Sequence, residues 1–242
     1  MGSMNKLTKL RLEALFLLAA NWQLSPATAQ DLVAAAPALV KIEHQDPRVR
    51  VLRLRMPENG SLPTHERPRG VVVSLKANHV RLVRSDGTES EMRSEAGSFA
   101  WTEPVVGSWL NLGSAVEDIV VELRQAGLPG ETVASPPAGI PAKYLSESRH
   151  RWSMENQYVR VYDVRIPPGE TTTFHRHAYD QVAIYVSGGL VSDQLEGQAW
   201  GEPETVAPGE VEYLADASQP ITHRVRNDGK SEYHVVLVQF LQ

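Results

Sequence analysis

From Val40 to the C-terminus, apolar and polar residues alternate in short β-branched runs separated by clusters of Gly, Pro, Asn and Asp. A period of two in runs this short predicts antiparallel strands forming a sandwich or barrel. Strands are expected over residues 50–56, 70–76, 79–84, 117–124, 159–166, 181–186 and 233–240. Helical periodicity is confined to a short N-terminal segment. Residues 127–142 carry Pro129-Gly130, Pro136-Pro137 and Gly139-Ile140-Pro141, a density of backbone breakers that reads as a linker.

The pattern repeats across that linker. A shift of 110 residues aligns Val49-Arg50-Val51 with Val159-Arg160-Val161, Arg55 with Arg165, Pro57 with Pro167, and His65 with His175. A shift of 116 aligns Pro104 with Pro220, Asn111 with Asn227, and the alternation ending at Val121 with that ending at Leu237. Two copies of one β unit follow, at 40–126 and 149–242, joined by a linker at 127–148. Arg50, Arg160, Arg55 and Arg165 recur in both copies and are expected to serve structure or packing between the units.

Composition narrows the partners. The chain has 242 residues, 42% of them hydrophobic, enough for two ordinary cores. A net charge of -5 with basic residues dispersed leaves no cationic surface for phosphates, so nucleic acid is not an expected partner, and a small molecule is. Cysteine is absent, which leaves His, Asp, Glu and amides as metal ligands. Residues 1–30 are read as a leader. A vector scar, Met1-Gly2-Ser3, precedes Met4; Lys6, Lys9 and Arg11 precede the apolar run 14–20; Ala27-Thr28-Ala29 offers a small-x-small cleavage site. Export with cleavage near Ala29, and no membrane span in the mature chain, are the expectations.

The chemistry concentrates in the second copy. Strand parity lets His175, His177, Tyr179 and Gln181 project to one side, and a barrel would bring His223 toward them from a facing strand. Three neutral imidazoles suit one divalent transition ion, Fe, Zn, Ni, Cu or Mn, over Ca or Mg. Thr173, Tyr179 and Tyr185 share the parity of the histidines and are candidate cavity-lining residues. Asp180 has the opposite parity. His44, His79, His150 and His234 have no partner at ligand spacing and read as surface or loop histidines.

Gly169, His175, His177 and Gly188 fall on the pattern G-x5-H-x-H-x3,4-E-x6-G, with Gln181 at the glutamate, and His223 and Asn227 match the end of G-x5-P-x-G-x2-H-x3-N. In these residues the chain resembles the cupin superfamily over nearly everything after residue 40. The resemblance implies two tandem double-stranded β-helix (jelly-roll) barrels, an all-β bicupin, with metal held in the C-terminal barrel by His175, His177, His223 and a weakly bound or absent Gln181. In the first copy Arg67, Val71 and Gly107 stand at the places of His177, Gln181 and His223, so that barrel is expected to be metal-free. Three function classes follow. The leading one is a three-His dioxygenase acting on a small chelating, oxygen-rich substrate, with an anionic one supplying the charge the missing glutamate lacks. An isomerase or lyase is next, then a non-catalytic small-ligand binder or structural bicupin. A homodimer of barrels is the expected assembly.

Overall fold

The computed structural model describes residues 29–124 and 146–241. The leader and most of the linker lie outside the described residues. Among the described residues no helix is long and apolar enough to cross a membrane. The helical content here is one four-residue turn, α1 (Leu32–Ala35), capped by Asp31, which accepts from Val33 N at 2.9 Å.

In chain order the strands are β1 (Gln30–Asp31), β2 (Val40–Gln45), β3 (Val49–Met56), β4 (Ser61–Arg67), β5 (Gly70–Ser74), β6 (Asn78–Arg84), β7 (Glu89–Ser94), β8 (Phe99–Thr102), β9 (Val105–Asn111) and β10 (Val116–Leu123). They continue as β11 (His150–Glu155), β12 (Val159–Ile166), β13 (His175–His177), β14 (Gln181–Ser187), β15 (Gly189–Leu195), β16 (Glu204–Val206), β17 (Val211–Leu214), β18 (Ile221–Asn227) and β19 (Tyr233–Phe240). The sheets are ordered β1-β4-β9-β6-β7 and β2-β3-β10-β5-β8 in the first half, and β11-β12-β19-β14-β17 and β13-β18-β15-β16 in the second. No sheet mixes strands of the two halves.

The strands β3 and β12 explain how the halves join. Both are buried along nearly their whole length, charged positions included, because both faces are covered. In β3, Leu52, Leu54 and Met56 fill the first barrel with Leu62 and Trp109, while Val49 and Val51 point the other way. In β12, Tyr162, Val164 and Ile166 face the second barrel, while Val159 and Val161 meet Val49, Val51, Ile119 and Val121 in one shared cluster. Polar contacts rim this cluster. Arg48 reaches Asp180 and Tyr213, Arg53 donates to Gly209 O, Arg69 bonds Tyr158 OH, and His44 stacks on Tyr213 at 4.0 Å. Gly97, at φ 79°, lies against His234, whose ring a Cβ would strike at 2.1 Å. His234 is accordingly buried, with Asp163 2.9 Å from Nε2, and is not a surface residue.

Of the two roles expected for the recurrent arginines, the ion pairs are structural ones within each barrel: Arg50 on Glu122 and Asp31, Arg160 on Glu155, Arg55 on Glu117, and Arg165 on Asp163 and Glu232. Asp180 has the parity of Val182 and Ile184, which points it away from the histidines and toward Arg48 across the interface. The repeat is real in hydrogen bonds. Asn111 and Asn227 each donate from Nδ2 to two backbone carbonyls and accept one glycine N–H. Beyond them the offset grows by one residue, because Val116 pairs with Met56 whereas Tyr233 pairs with Ile166.

Candidate metal centre

His175 on β13 lies directly across from His223 on β18, and His177 two residues on brings a third ring to the same side. The three ring centres are 4.5, 5.0 and 5.1 Å apart, with planes steeply inclined at 59°, 84° and 71°. Imidazoles sharing one ion at metal–N distances of about 2.0–2.1 Å have ring centres roughly 3.2 Å from it, hence about 4.5 Å apart at right angles and about 5.2 Å at the tetrahedral angle. The observed separations fall on that range.

Outer partners set the nitrogens. His175 Nδ1 lies 3.0 Å from Thr173 O and His223 Nδ1 lies 3.1 Å from Asp193 Oδ1, so each donates from Nδ1 and keeps a lone pair on Nε2. His223 Nε2 is buried with no partner among the described residues. His177 Nδ1 faces two amides, Gln181 Nε2 at 3.0 Å and Gln239 Nε2 at 3.2 Å. In this orientation the amides donate and the proton sits on Nε2; binding an ion through Nε2 requires an amide oxygen to face Nδ1, which a turn of the side-chain amides supplies. Gln181 also donates to Asp216 Oδ2 at 2.6 Å and accepts from Gln239 at 3.2 Å. Its amide is engaged behind His177, which makes it a positioning group there.

A fourth imidazole joins these. His150, expected at the surface, is buried on β11, its ring stacked 4.1 Å from that of His175 at 26°. Neither of its nitrogens has a partner among the described residues. Ligand atoms of His150, His175 and His177 lie within 4.8 Å of one another, so this trio is also close enough for an ion. His150 lies nearly parallel to His175, whereas the planes of His175, His177 and His223 are steeply inclined to one another. The repeat carried the signal for His150: a shift of 110 places it on Val40, an apolar position of the first barrel.

The rings border a cavity of about 540 Å³. Tyr185 lines it, its OH donating to Glu212 at 3.1 Å. Thr173 does not: the backbone before β13 is irregular, Thr172 turns inward in its stead and Thr173 is exposed. Tyr179, in the turn between β13 and β14, is half-buried and outside the cavity wall. Asp193, Glu204, Glu210, Glu212 and Asp216 all border the cavity, with no Lys or Arg among the described residues there.

Burial keeps His150, His175 and His177 neutral, as ligands must be. It pushes His175 down to about 3 and His150 and His177 well below the ordinary imidazole value. The sign for stability follows. Below pH 6.5 the unfolded chain binds protons that these buried rings refuse, so stability present above that pH is lost as pH falls toward the folded-state values. The loss is at most about 1.4 kcal/mol per pH unit for each ring. Metal-free protein should therefore show a denaturation midpoint that drops steeply between pH 6.5 and 4.5, and leucine at His150 should flatten that slope. An unchanged slope in the variant would mean that His150 does not remain neutral in the fold.

The first barrel lacks this set. His65 pairs with Gly107 as His175 pairs with His223, and Arg67 replaces His177. The position matching Gln181 is Gly70, one residue before Val71, since Gly70 pairs with Glu122 where Gln181 pairs with Gln239. A Cβ at Gly70 would lie 2.0 Å from Val121 O.

No sequence-family model matches the chain, and no curated protein matches it by sequence. Solved structures do. AerE from Microcystis aeruginosa is similar over 84% of this chain and 98% of its own, with TM-score 0.56 and 13% identity. The oxalate decarboxylase of Lactobacillus farciminis in its formate complex covers 81% of this chain and 78% of its own, at TM-score 0.52 and 11% identity. A mutant salicylate 1,2-dioxygenase from Pseudoaminobacter salicylatoxidans covers 80% and 71%, at TM-score 0.50 and 11% identity. Likeness at such identities is one of fold. The chain is a bicupin in fold, with a three-histidine group suited to a transition metal ion in its C-terminal barrel.

Proposed function

We propose that the protein is a metal-dependent enzyme whose ion is held by His175, His177 and His223, and that it acts as a dioxygenase on a small, neutral, chelating oxygen compound. The observation that carries this reading is the gathering of three imidazoles at a cavity of about 540 Å³, large enough for a substrate beside an ion. A site of three protein ligands leaves coordination positions open, as catalytic centres do. When bound, the metal would supply Lewis acidity and, if redox-active, access to dioxygen.

The chain's own groups do the rest. His150, with both nitrogens free and its ring at the cavity, is placed to exchange a hydrogen bond or proton with a substrate oxygen. Tyr185 and Asp193 fix the polar wall. The acidic lining disfavours free carboxylates and sets this cavity apart from one built for a dicarboxylate. Isomerase or lyase chemistry at the same site is the second reading, favoured by the unpartnered nitrogens of His150 at the cavity, which could move a proton on a bound substrate.

The test is oxygen uptake by protein reconstituted anaerobically with Fe(II), Mn(II), Ni(II) or Cu(II), offered neutral 1,3-diketones and vicinal diols beside matched carboxylates. Uptake is expected with at least one metal and a neutral chelator, and reduced at least tenfold in His150→Leu. Metal-loaded protein that binds these chelators yet neither consumes oxygen nor alters them would reassign the barrel as a binder.

A further inference from the structure

The first barrel, without a metal set, keeps a buried charge. Arg67 on β4 is 7% exposed, and no hydrogen bond or ion pair reaches its guanidinium from any described residue. Its contact is with Trp109, whose ring lies 4.4 Å below the guanidinium carbon. The carboxylates around it are held elsewhere: Asp118 by Asn78 at 3.0 Å, with burial raising it to about 6, and Glu122 through Oε2 by Arg50 at 2.6 Å. Arg67 Nε is buried with no partner among the described residues, and a buried charge without a partner is destabilising. The fold retains it beside empty space.

That space has two parts. An inner cavity of about 250 Å³ is walled by apolar groups such as Leu54, Val72 and Phe99, with Asp118 and the Asn78 that holds it also on its wall. An outer hollow of about 420 Å³ reaches toward Arg84 and Asp86. Arg67, Met92, Thr102 and Trp109 line both, and so form the neck between them. A planar fork of donors at the neck of an apolar chamber matches a carboxylate attached to a hydrophobic body. The inner chamber is near the lower end of the ligand-pocket range of roughly 300–1,000 Å³, which sets a small molecule as the occupant.

We propose that the N-terminal barrel is a second, metal-independent binding site for a small monocarboxylate with an aliphatic or aromatic body, anchored on Arg67. The carboxylate takes the donors that the protein leaves unmet, and the body fills the chamber among Leu54, Val72 and Phe99. The two barrels then divide by charge: an acidic cavity at the histidines and a cationic neck in the first barrel.

The experiment is calorimetric titration of the full chain, stripped of metal by chelator, with benzoate and hexanoate and with their uncharged partners benzamide and hexanamide. One carboxylate is expected to bind at about one per chain and at least tenfold tighter than its amide. Arg67→Met should lower that affinity at least tenfold, whereas His175→Ala should leave it unchanged. The same Arg67→Met should raise the melting temperature of the ligand-free protein, because a buried charge without a partner is gone, and should abolish the rise that benzoate gives the parent. Val80→Phe fills the chamber without touching Arg67, and should also abolish binding. Equal affinity for acid and amide, binding that survives both Arg67→Met and Val80→Phe, or no saturable binding of either acid overturns the proposal. Binding lost in His175→Ala would place the carboxylate in the C-terminal cavity, and overturns it as well.

Discussion

Alanine at His223 is expected to strip the C-terminal barrel of its metal while leaving the fold intact, and leucine at His150 to leave the metal in place. The two substitutions separate the two possible histidine trios. His223 faces His175 directly from the opposite strand with Nε2 unpartnered among the described residues, whereas His150 lies stacked on His175 from β11. Losing one of three ligands removes a direct bond, and the effect should exceed the roughly 10–100-fold that loss of an outer partner costs. Asp193→Asn, which weakens the hydrogen bond orienting His223 Nδ1, should fall within that smaller range. Elemental analysis by plasma mass spectrometry after dialysis reads all of these, with circular dichroism to confirm the fold. The assignment predicts about one metal per chain in the parent and in His150→Leu, and less than a tenth of that in His223→Ala and His175→Ala. Equal metal in His223→Ala and the parent would sink the chosen trio, and loss in His150→Leu would install the other.

What the sequence revealed and what it hid divide along one physical line. Alternation is local, so β3, β12 and β19 were legible, as was the His-x-His pair whose spacing a single strand fixes. The relation of His65 to His175 was legible too, because the strands carrying them keep one offset from the start of each repeat. Position became uncertain wherever loop lengths differ between copies. A loop one residue shorter in the first barrel moves the partner of Gln181 from Val71 to Gly70. Parity also fails outside regular strand, which is why Thr173 faces solvent. Hidden altogether were groups that matter only through pairing over long stretches of chain. Arg48 and Asp180 are 132 residues apart, and the acidic cavity wall gathers side chains from β15, β16, β17 and the loops beside them. His150 is the instructive omission. No neighbour in sequence marked it, and only its departure from Val40 in the repeat could have.

Truncating Ile119 or Ile184 to alanine is expected to destabilise both barrels together, by about 2–5 kcal/mol at either position. Each is fully buried, and each belongs to the cluster that the two sheets share, although they sit in different halves of the chain. Against a typical total of about 5–15 kcal/mol, such a loss is a large fraction of stability. Its distribution is the telling quantity. If the sheets containing β3 and β12 are faces of one core, a cavity made by Ile119→Ala is felt equally from the other side, because the side chains that lose contacts include those of Val159 and Val161. Hydrogen exchange read by mass spectrometry resolves the two barrels separately. Ile119→Ala should accelerate exchange in β12 and β19 by a factor similar to that in β3 and β10, and Ile184→Ala should do the reverse. Acceleration confined to the substituted half would mean that the barrels open independently, with Arg48, Arg53 and Arg69 bridging two separate folding units. Joint acceleration would mean that the metal-free barrel contributes half of the core on which the histidine-bearing barrel stands, and that occupancy of the first barrel by a ligand would stabilise the second.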